Sequence, residues 1–212
     1  MSTDHRPIRL LLVRHAPVTG IAPGCCYGAL DLAADPAATQ RAAAAVAAQL
    51  APGTPVWSSS RRRARLLGEA LRALRPDLGP MRADARLDEL DFGRWEGQPW
   101  AAIDRTEFDA WMADFAHTRV GGGESVAQLL ARVAVAADAV AEEVRAQPRT
   151  GAEGLAPDAV WITHAGVIRA LDWLCTRRWE LPQAADWPRL ALDFGAAVER
   201  SWMPRFQPKS GS

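Results

Sequence analysis

The chain is poor in cysteine and carries no surplus of charge of either sign. Its 3 cysteines, Cys25, Cys26 and Cys175, have the spacing of neither a disulfide framework nor a zinc site, so we expect no bound metal. Lys+Arg 25 balances Asp+Glu 25, which argues against broad binding to nucleic acid or an anionic membrane and requires any anion site to be local. No segment approaches the roughly 20 apolar residues that span a bilayer. Residues 1–10 lack the apolar core of a secretory signal, so a cytoplasmic protein is expected.

The sequence does contain many short apolar runs. Hydrophobic residues make up 49% of the 212, enough for a substantial core. These runs alternate with segments of helical periodicity, which predicts an α/β layer fold in one domain over residues 1–203 with a mobile tail over 204–212. We expect helices over residues 38–50, 61–74, 98–115, 125–146 and 165–177. We expect strands over 8–13, 55–58, 82–87 and 160–163, a surface loop over 147–157, and a closing hairpin or edge strands over 190–194 and 196–202.

Two histidines each follow a strand-like apolar run. Arg14 and His15 come after the first run, and His164 comes after the run that ends at Thr163. In an open α/β sheet, ligands bind beyond the carboxyl ends of the strands, so both imidazoles are expected at that edge. The Arg14 guanidinium can donate to phosphate oxygens, and its charge should lower the pKa of His15 and keep the ring neutral, as a nucleophile requires. The alternative for each histidine is a structural role in the core.

Three further segments favour phosphate chemistry. Small residues after His164, beginning with Ala165, let backbone N–H groups at a helix start approach an anion. Ser58 to Ser60 offer an N-cap to the helix that begins with an arginine run; one of these arginines should point to the strand ends, whereas Arg61, Arg62 and Arg65 are expected on a solvated face. Residues 87–97 hold four carboxylates between apolar residues, and a partly buried carboxyl group beside a phosphate would have a raised pKa and act as a general acid.

In this order the segments resemble the histidine phosphatase superfamily, the phosphoglycerate mutase-like proteins. The resemblance lies in Leu-Val-Arg-His-Ala within residues 11–16, the serine–arginine segment 58–65, the acidic segment 87–97, Gly-Gly-Gly-Glu-Ser at 121–125 and Ile-Thr-His-Ala-Gly-Val-Ile-Arg at 162–169. It implies a three-layer α/β/α sandwich with a mostly parallel central sheet. It also implies a metal-independent histidine acid-type phosphatase that needs no cofactor and works through a phosphohistidine.

Matched residue by residue, the resemblance assigns roles to five side chains. His15 corresponds to the nucleophile, Arg14 and Arg63 to the phosphate-binding arginines, Glu89 to the proton donor and His164 to the second phosphate-contacting histidine. Tyr27 and the backbone of Ala165 are expected to contact substrate. Residues 27–31, together with the short chain, are most similar to α-ribazole phosphatases of cobalamin biosynthesis, so a small-molecule phosphate ester is the expected partner.

Some residues depart from the family pattern, and some roles stay open. Ala16 replaces the usual glycine, Arg61 an apolar residue and Leu67 a threonine, and Asp35-Pro36 interrupts the usual start of the first helix.

One alternative function is a phosphoglycerate mutase, although the chain lacks the long insertion that shields such sites. Another is a catalytically silent phosphate-binding or scaffold protein. Two further alternatives stay open. Trp95, Trp100 and Trp111 either line a substrate pocket or belong to the core, and Arg94 and Arg119 either bind a second anion or are solvated.

Overall fold

One five-stranded sheet organises the chain. The computed structural model describes residues 6–146 and 156–204. The strands, in spatial order, are β3 (Met81–Ala83), β2 (Val56–Ser58), β4 (Ala159–Thr163), β1 (Ile8–Arg14) and β5 (Ala197–Trp202). All neighbouring pairs are parallel except β5, which runs antiparallel to β1 at the edge. The helices are α1 (Pro36–Ala47), α2 (Arg62–Leu74), α3 (Arg105–Ala113), α4 (Val126–Ala146) and α5 (Ala165–Arg177).

Helices cover both faces of the sheet. Successive side chains of a strand point to opposite faces, so Leu10 and Leu12 of β1 join the core formed with α4 and α5. Leu11 and Val13 join the second core, formed with α1 and α2. The predicted α/β fold with a mostly parallel sheet is therefore confirmed. Within the described residues, no helix is both long enough and apolar enough to cross a membrane.

Several predicted boundaries are wrong, and side-chain hydrogen bonds explain two of them. The strand predicted over 82–87 ends at Ala83, because the Asp84 carboxylate accepts the N–H of Arg86 at 2.8 Å and starts a 3₁₀ turn. The helix predicted over 98–115 begins only at Arg105, where Asp104 caps α3. Residues 190–194 form no strand. The predicted loop 147–157 and tail 204–212 lie outside the described residues, apart from 156, 157 and 204.

The starts of α1 and α2 also differ from expectation. Asp35-Pro36 does not interrupt α1. Asp35 is its N-cap, accepting the Ala38 N–H at 2.6 Å, and Pro36 is its first residue. The serines do not cap α2. The exposed Asp31 accepts the N–H of Arg62 at 2.6 Å instead, which ties the loop after β1 to the start of α2.

Candidate active site

The two predicted site histidines follow neighbouring parallel strands. Arg14 at the end of β1 lies in register with Thr163 at the end of β4. His15 and His164 therefore leave the sheet side by side, and their ring centroids are 5.0 Å apart in an edge-on arrangement. Both side chains are buried. The carboxyl edge of the sheet thus brings the two imidazole rings together where α/β sheets bind ligands.

The His15 ring presents one free nitrogen. Its Nδ1 lies 2.7 Å from the Ala16 carbonyl oxygen and donates a proton to it, so Nε2 keeps the lone pair. The pKa of His15 is lowered to about 3, chiefly because burial penalises the charged ring and further because of the charges of Arg63 and, to a smaller extent, Arg14. The direction is the expected one, but burial and Arg63 contribute more than the neighbouring Arg14. A neutral ring with an unprotonated Nε2 is the nucleophilic form.

Arg63 is fully buried below the site. Its Nη1 donates to the Leu30 carbonyl and its Nη2 to the Gly28 carbonyl, both at 2.6 Å, and its Nε donates to Nδ1 of His164 at 3.3 Å. Burial lowers its pKa, and the negative charge of Glu89 partly offsets this effect. A guanidinium has five N–H groups, so two remain after these three bonds. Their contact with phosphate oxygens stays a prediction.

Arg14 packs against an aromatic ring next to the site. Its Nη1 donates to the Leu192 carbonyl at 2.5 Å, and its guanidinium lies 3.7 Å from the centre of the Phe194 ring. Tyr27 lies close enough for its charge and that of Arg14 to influence each other, and burial raises the pKa of Tyr27. Burial lowers the pKa of Arg14 itself. Its Nε is buried and has no hydrogen-bond partner among the described residues, so this donor is free for an anion.

Glu89 is held at the site by a backbone amide of α5. Its Oε2 accepts the N–H of Gly166 at 3.0 Å, and its Oε1 accepts the N–H of Leu90 at 3.0 Å. A Cβ atom at position 166 would lie 2.1 Å from Oε1, so only glycine permits this approach. The Gly166 amide therefore positions the carboxylate and is not free for phosphate. The Ala165 N–H, the first of α5, has no acceptor among the described residues.

A buried chain of polar side chains supports His164, and sequence reasoning missed it. The Ser59 hydroxyl lies 2.8 Å from Nε2 of His164 and 2.7 Å from the Asp88 carboxylate. Asp88 also pairs with Arg61 at 3.1 Å, so the solvated face predicted for Arg61 is wrong. Arg62 and Arg65 are exposed, as expected. A signal was present in the sequence: an arginine occupies position 61, which is usually apolar in the family, and a carboxylate that could pair with it occurs at position 88. Because both ring nitrogens of His164 contact protein groups, its direct contact with phosphate stays a prediction.

Glu96 holds the loop that carries the site's backbone carbonyls. Its two carboxylate oxygens accept the N–H groups of Ala29 and Leu30, each at 2.6 Å. The carbonyls of the same loop accept from Arg61 and Arg63. The loop is therefore fixed by charged groups on both its N–H and its C=O sides. Sequence reasoning included Glu96 only as one of four carboxylates.

The tryptophans and surface arginines left open by the sequence have partners of their own. Trp95 is buried and packs edge-on against Trp111, which stacks on Phe115, so these rings belong to a core cluster. Trp100 is more exposed and contacts Phe92 and Trp95 at the edge of that cluster. Arg94 pairs with Glu107 at 2.6 Å, and Arg119 donates to the Gly123 carbonyl at 2.6 Å.

The fold and this arrangement of residues define a class of protein. The chain belongs to the histidine phosphatase superfamily (branch 1), whose sequence profile matches residues 10–195. Among solved structures it is similar to "Mycobacterial hydrolase 1", with 30% identity over 92% of this chain and 91% of that chain and a TM-score of 0.73. It is also similar to mycobacterial glucosyl-3-phosphoglycerate phosphatase, with 30% identity over 91% of this chain and 89% of that chain and a TM-score of 0.70.

Two further comparisons complete this picture. The same mycobacterial phosphatase in complex with inorganic phosphate matches with 28% identity over 91% of this chain and 88% of that chain, at a TM-score of 0.71. A protein from Thermus thermophilus shares the fold, with 24% identity over 93% of this chain and 96% of that chain and a TM-score of 0.62. No curated protein matches the sequence.

Proposed function

We propose that this chain hydrolyses phosphomonoesters through a phosphohistidine formed on Nε2 of His15. The observation that carries the proposal is a neutral, buried imidazole with a free Nε2, within the charge influence of Arg63 and of Arg14, whose buried Nε has no partner among the described residues. Such an arrangement supplies both a nucleophile and fixed positive charge for a tetrahedral anion. The similarity to a phosphatase that binds inorganic phosphate supports the same chemistry.

The proposed reaction has two displacements at phosphorus. Nε2 of His15 attacks the phosphorus in line, the bond to the ester oxygen breaks, and Glu89 gives its proton to the departing alkoxide. Water then attacks the phosphohistidine while the Glu89 carboxylate takes a proton from it. The P–N bond breaks, inorganic phosphate leaves, and both residues return to their starting protonation states.

In this proposal Arg14 and Arg63 supply the positive charge, and no metal ion or organic cofactor takes part. At an effective dielectric constant near 20, each cation about 4 Å from an anion contributes about 4 kcal/mol of Coulomb energy before desolvation costs. Turnover should therefore persist in excess EDTA. Loss of activity with EDTA and its recovery on adding a divalent cation would contradict this part of the proposal.

The proposed substrates are small metabolite phosphates in the cytoplasm, with α-ribazole phosphate as the specific candidate. The Phe194 ring lies 3.7 Å from the Arg14 guanidinium and the Tyr27 ring 5.3 Å from the Arg63 guanidinium, so we expect a leaving group on a phosphate held by these arginines to meet two aromatic rings. These rings suit a flat base or a sugar ring. Neither nucleic acid nor membrane is proposed as a partner.

A phosphatase assay tests the function directly. Release of inorganic phosphate should be measured first from p-nitrophenyl phosphate, then from α-ribazole phosphate, sugar phosphates, nucleotides, glucosyl-3-phosphoglycerate and 3-phosphoglycerate. Phosphate release that depends on His15 supports the proposal. Transfer of the phosphoryl group to a second hydroxyl of phosphoglycerate, without net release, would replace it with the mutase function. Tight phosphate binding without turnover of any ester would indicate a silent binding protein.

A further inference from the structure

The buried chain behind His164 connects a carboxylate to the phosphate-binding arginine. The Asp88 carboxylate accepts the hydroxyl of Ser59 at 2.7 Å and both the N–H and the hydroxyl of Ser60 at 2.8 Å and 2.7 Å. Ser59 contacts Nε2 of His164 at 2.8 Å, and Nδ1 of the same ring accepts from Nε of Arg63 at 3.3 Å. Ser59, Arg63, His164 and Asp88 are buried, with exposures from 0% at Ser59 and Arg63 to 7% at Asp88, whereas Ser60 is half-buried. Water therefore has little access to the contacts that join Asp88, Ser59, His164 and Arg63.

The positions of the protons in this chain follow from its donors and acceptors. Ser59 has one hydroxyl proton, and its oxygen already accepts the N–H of Arg61 at 3.1 Å. A carboxylate only accepts, whereas either nitrogen of a neutral imidazole can donate. If the Ser59 hydroxyl donates its proton to the Asp88 carboxylate, Nε2 of His164 donates to the Ser59 oxygen and Nδ1 accepts from Arg63. Every contact then pairs one donor with one acceptor. If the Ser59 hydroxyl instead donated to Nε2 of His164, the ring proton would be on Nδ1. That Nδ1–H would face the Nε–H of Arg63, and Asp88 would lose a hydrogen-bond donor.

We propose that Asp88, acting through the hydroxyl group of Ser59, is a positioning residue that holds His164 as the tautomer protonated on Nε2. The carboxylate is 29 residues from Ser59 along the chain and reaches it only in the folded protein. Two additional donors from Ser60 and the ion pair with Arg61 hold the carboxylate in place. A buried acceptor with this many charge-assisted contacts controls where the neighbouring proton lies.

The tautomer matters because it orients Arg63. The lone pair on Nδ1 of His164 meets the Nε–H of Arg63, while the carbonyls of Gly28 and Leu30 take one N–H from each Nη. The guanidinium is thereby fixed on three sides, and its two remaining N–H groups keep one direction. Asp88 thus acts on phosphate through three intermediates. Its effect on turnover rests on the proposed function, whereas its effect on the tautomer does not.

Nitrogen NMR of the histidine rings tests the tautomer in the intact chain. In phosphate-free buffer, long-range ¹H–¹⁵N correlations distinguish a protonated from an unprotonated ring nitrogen. Opposite tautomers are expected in one spectrum, His15 protonated on Nδ1 and His164 on Nε2. The chain has 4 histidines, so signals can be assigned by their loss in His15→Gln and His164→Gln. A wild-type His164 protonated on Nδ1 would overturn the inference without any variant having to fold.

Adjacent serines provide a matched pair of variants. Ser59→Ala removes the connection to His164, whereas Ser60→Ala removes a hydroxyl from the same carboxylate and leaves that connection intact. Asp88→Asn should let Ser59 donate to His164 and shift its proton to Nδ1. The Nε2 proton of His164 should therefore be retained in Ser60→Ala and lost or shared in Ser59→Ala and Asp88→Asn. Retention in all three variants would overturn the inference.

Kinetics then connect the tautomer to the reaction. We expect Ser59→Ala and Asp88→Asn to lower kcat by about 100-fold, the cost of misdirecting one donor to transition-state charge, and Ser60→Ala to lower it by much less. Equal losses in Ser59→Ala and Ser60→Ala would point to packing and overturn the positioning role. If the wild-type protein hydrolyses no ester while the two histidines still show opposite tautomers, the proposed function fails and the tautomer assignment stands.

Discussion

The base and the rim of the site are built differently. The base consists of five buried polar side chains whose partners are other parts of the chain, namely His15, Ser59, Arg63, Asp88 and His164. The rim consists of Tyr27, Leu30 and Phe194, and the last two are 37% and 39% exposed. A base with fixed hydrogen bonds suits one invariant group, the phosphate. A rim of exposed apolar surface suits leaving groups that differ between substrates.

Removing the nucleophile is the most severe way to disrupt the base. His15→Ala should abolish phosphate release from every ester, because no other group occupies the position of Nε2. Incorporation of ³²P from a labelled ester into acid-labile, base-stable protein phosphate should disappear with it. His117→Ala, which removes an exposed histidine, is the control. Wild-type turnover in purified His15→Ala would refute the assignment of the nucleophile.

Replacing the proton donor should separate substrates by their leaving groups. Glu89→Gln should lower kcat for an alkyl phosphate by roughly 100- to 10,000-fold, the usual range for general acid catalysis. The loss in the first displacement should be much smaller for p-nitrophenyl phosphate, because p-nitrophenolate departs without a proton. Asp91→Asn changes an exposed acid in the same segment and is the control. Equal losses for both esters in the rate of the first displacement would argue against the proton-donor role.

Adding one methyl group at Gly166 should move that proton donor without removing it. The new Cβ would lie 2.1 Å from Oε1 of Glu89, so the carboxylate must shift. Gly166→Ala should lower kcat by about 100-fold, as expected for a misplaced catalytic group, while alanine in the first turn of α5 leaves the melting temperature unchanged or raises it. The double variant with Glu89→Gln should be no slower than Glu89→Gln alone. Additive losses would mean that Gly166 acts independently of Glu89.

Local sequence signals predicted one helix at its observed bounds but misplaced the end of one strand and the start of another helix. The apolar spacing over residues 165–177 and the small residues after His164 placed α5 at the bounds that the structure has. The strand predicted over 82–87 was wrong, because Asp84 bonds the backbone two residues on and competes with strand pairing. The prediction that Asp35-Pro36 interrupts the start of α1 was also wrong, because an aspartate N-cap followed by a proline favours the start of a helix.

The base of the site depends on contacts that no local signal contains. Ser59 and Asp88 are far apart in sequence and meet because β2 and the turn after β3 lie side by side. The serine run could be interpreted only as a helix cap, and Asp88 only as one acid among four. Phe194 at the rim was predicted as part of an edge strand. Its contact with Arg14 requires the chain to return from α5 to the end of β1.

Acid should destabilise the folded protein through the two buried histidines of the site. The folded pKa of His15 is about 3 and its ordinary value is 6.5, so between these values the unfolded chain binds one more proton at this residue. The free energy of unfolding should therefore fall as the pH drops from 6.5 towards 3, and His164, whose pKa is also lowered by burial, adds to this fall. His15→Gln should reduce the slope by about 1.4 kcal/mol per pH unit. Urea unfolding at several pH values measures it, and an unchanged slope would contradict the burial of a neutral His15.

The smallest effect is expected at the rim and should depend on the substrate. The Phe194 ring lies 3.7 Å from the Arg14 guanidinium and 5.6 Å from the His15 ring, and it remains partly exposed. A contact between the Phe194 ring and an aromatic leaving group would contribute about 0.5–1.5 kcal/mol, so Phe194→Ala should raise KM by about two- to twelvefold for esters with aromatic leaving groups. Phe194→Tyr, which keeps the ring face, should stay near wild type, and a small aliphatic phosphate should be little affected. Equal losses in kcat for every ester would place Phe194 with the base rather than the rim, because only the phosphate and the nucleophile are common to all substrates.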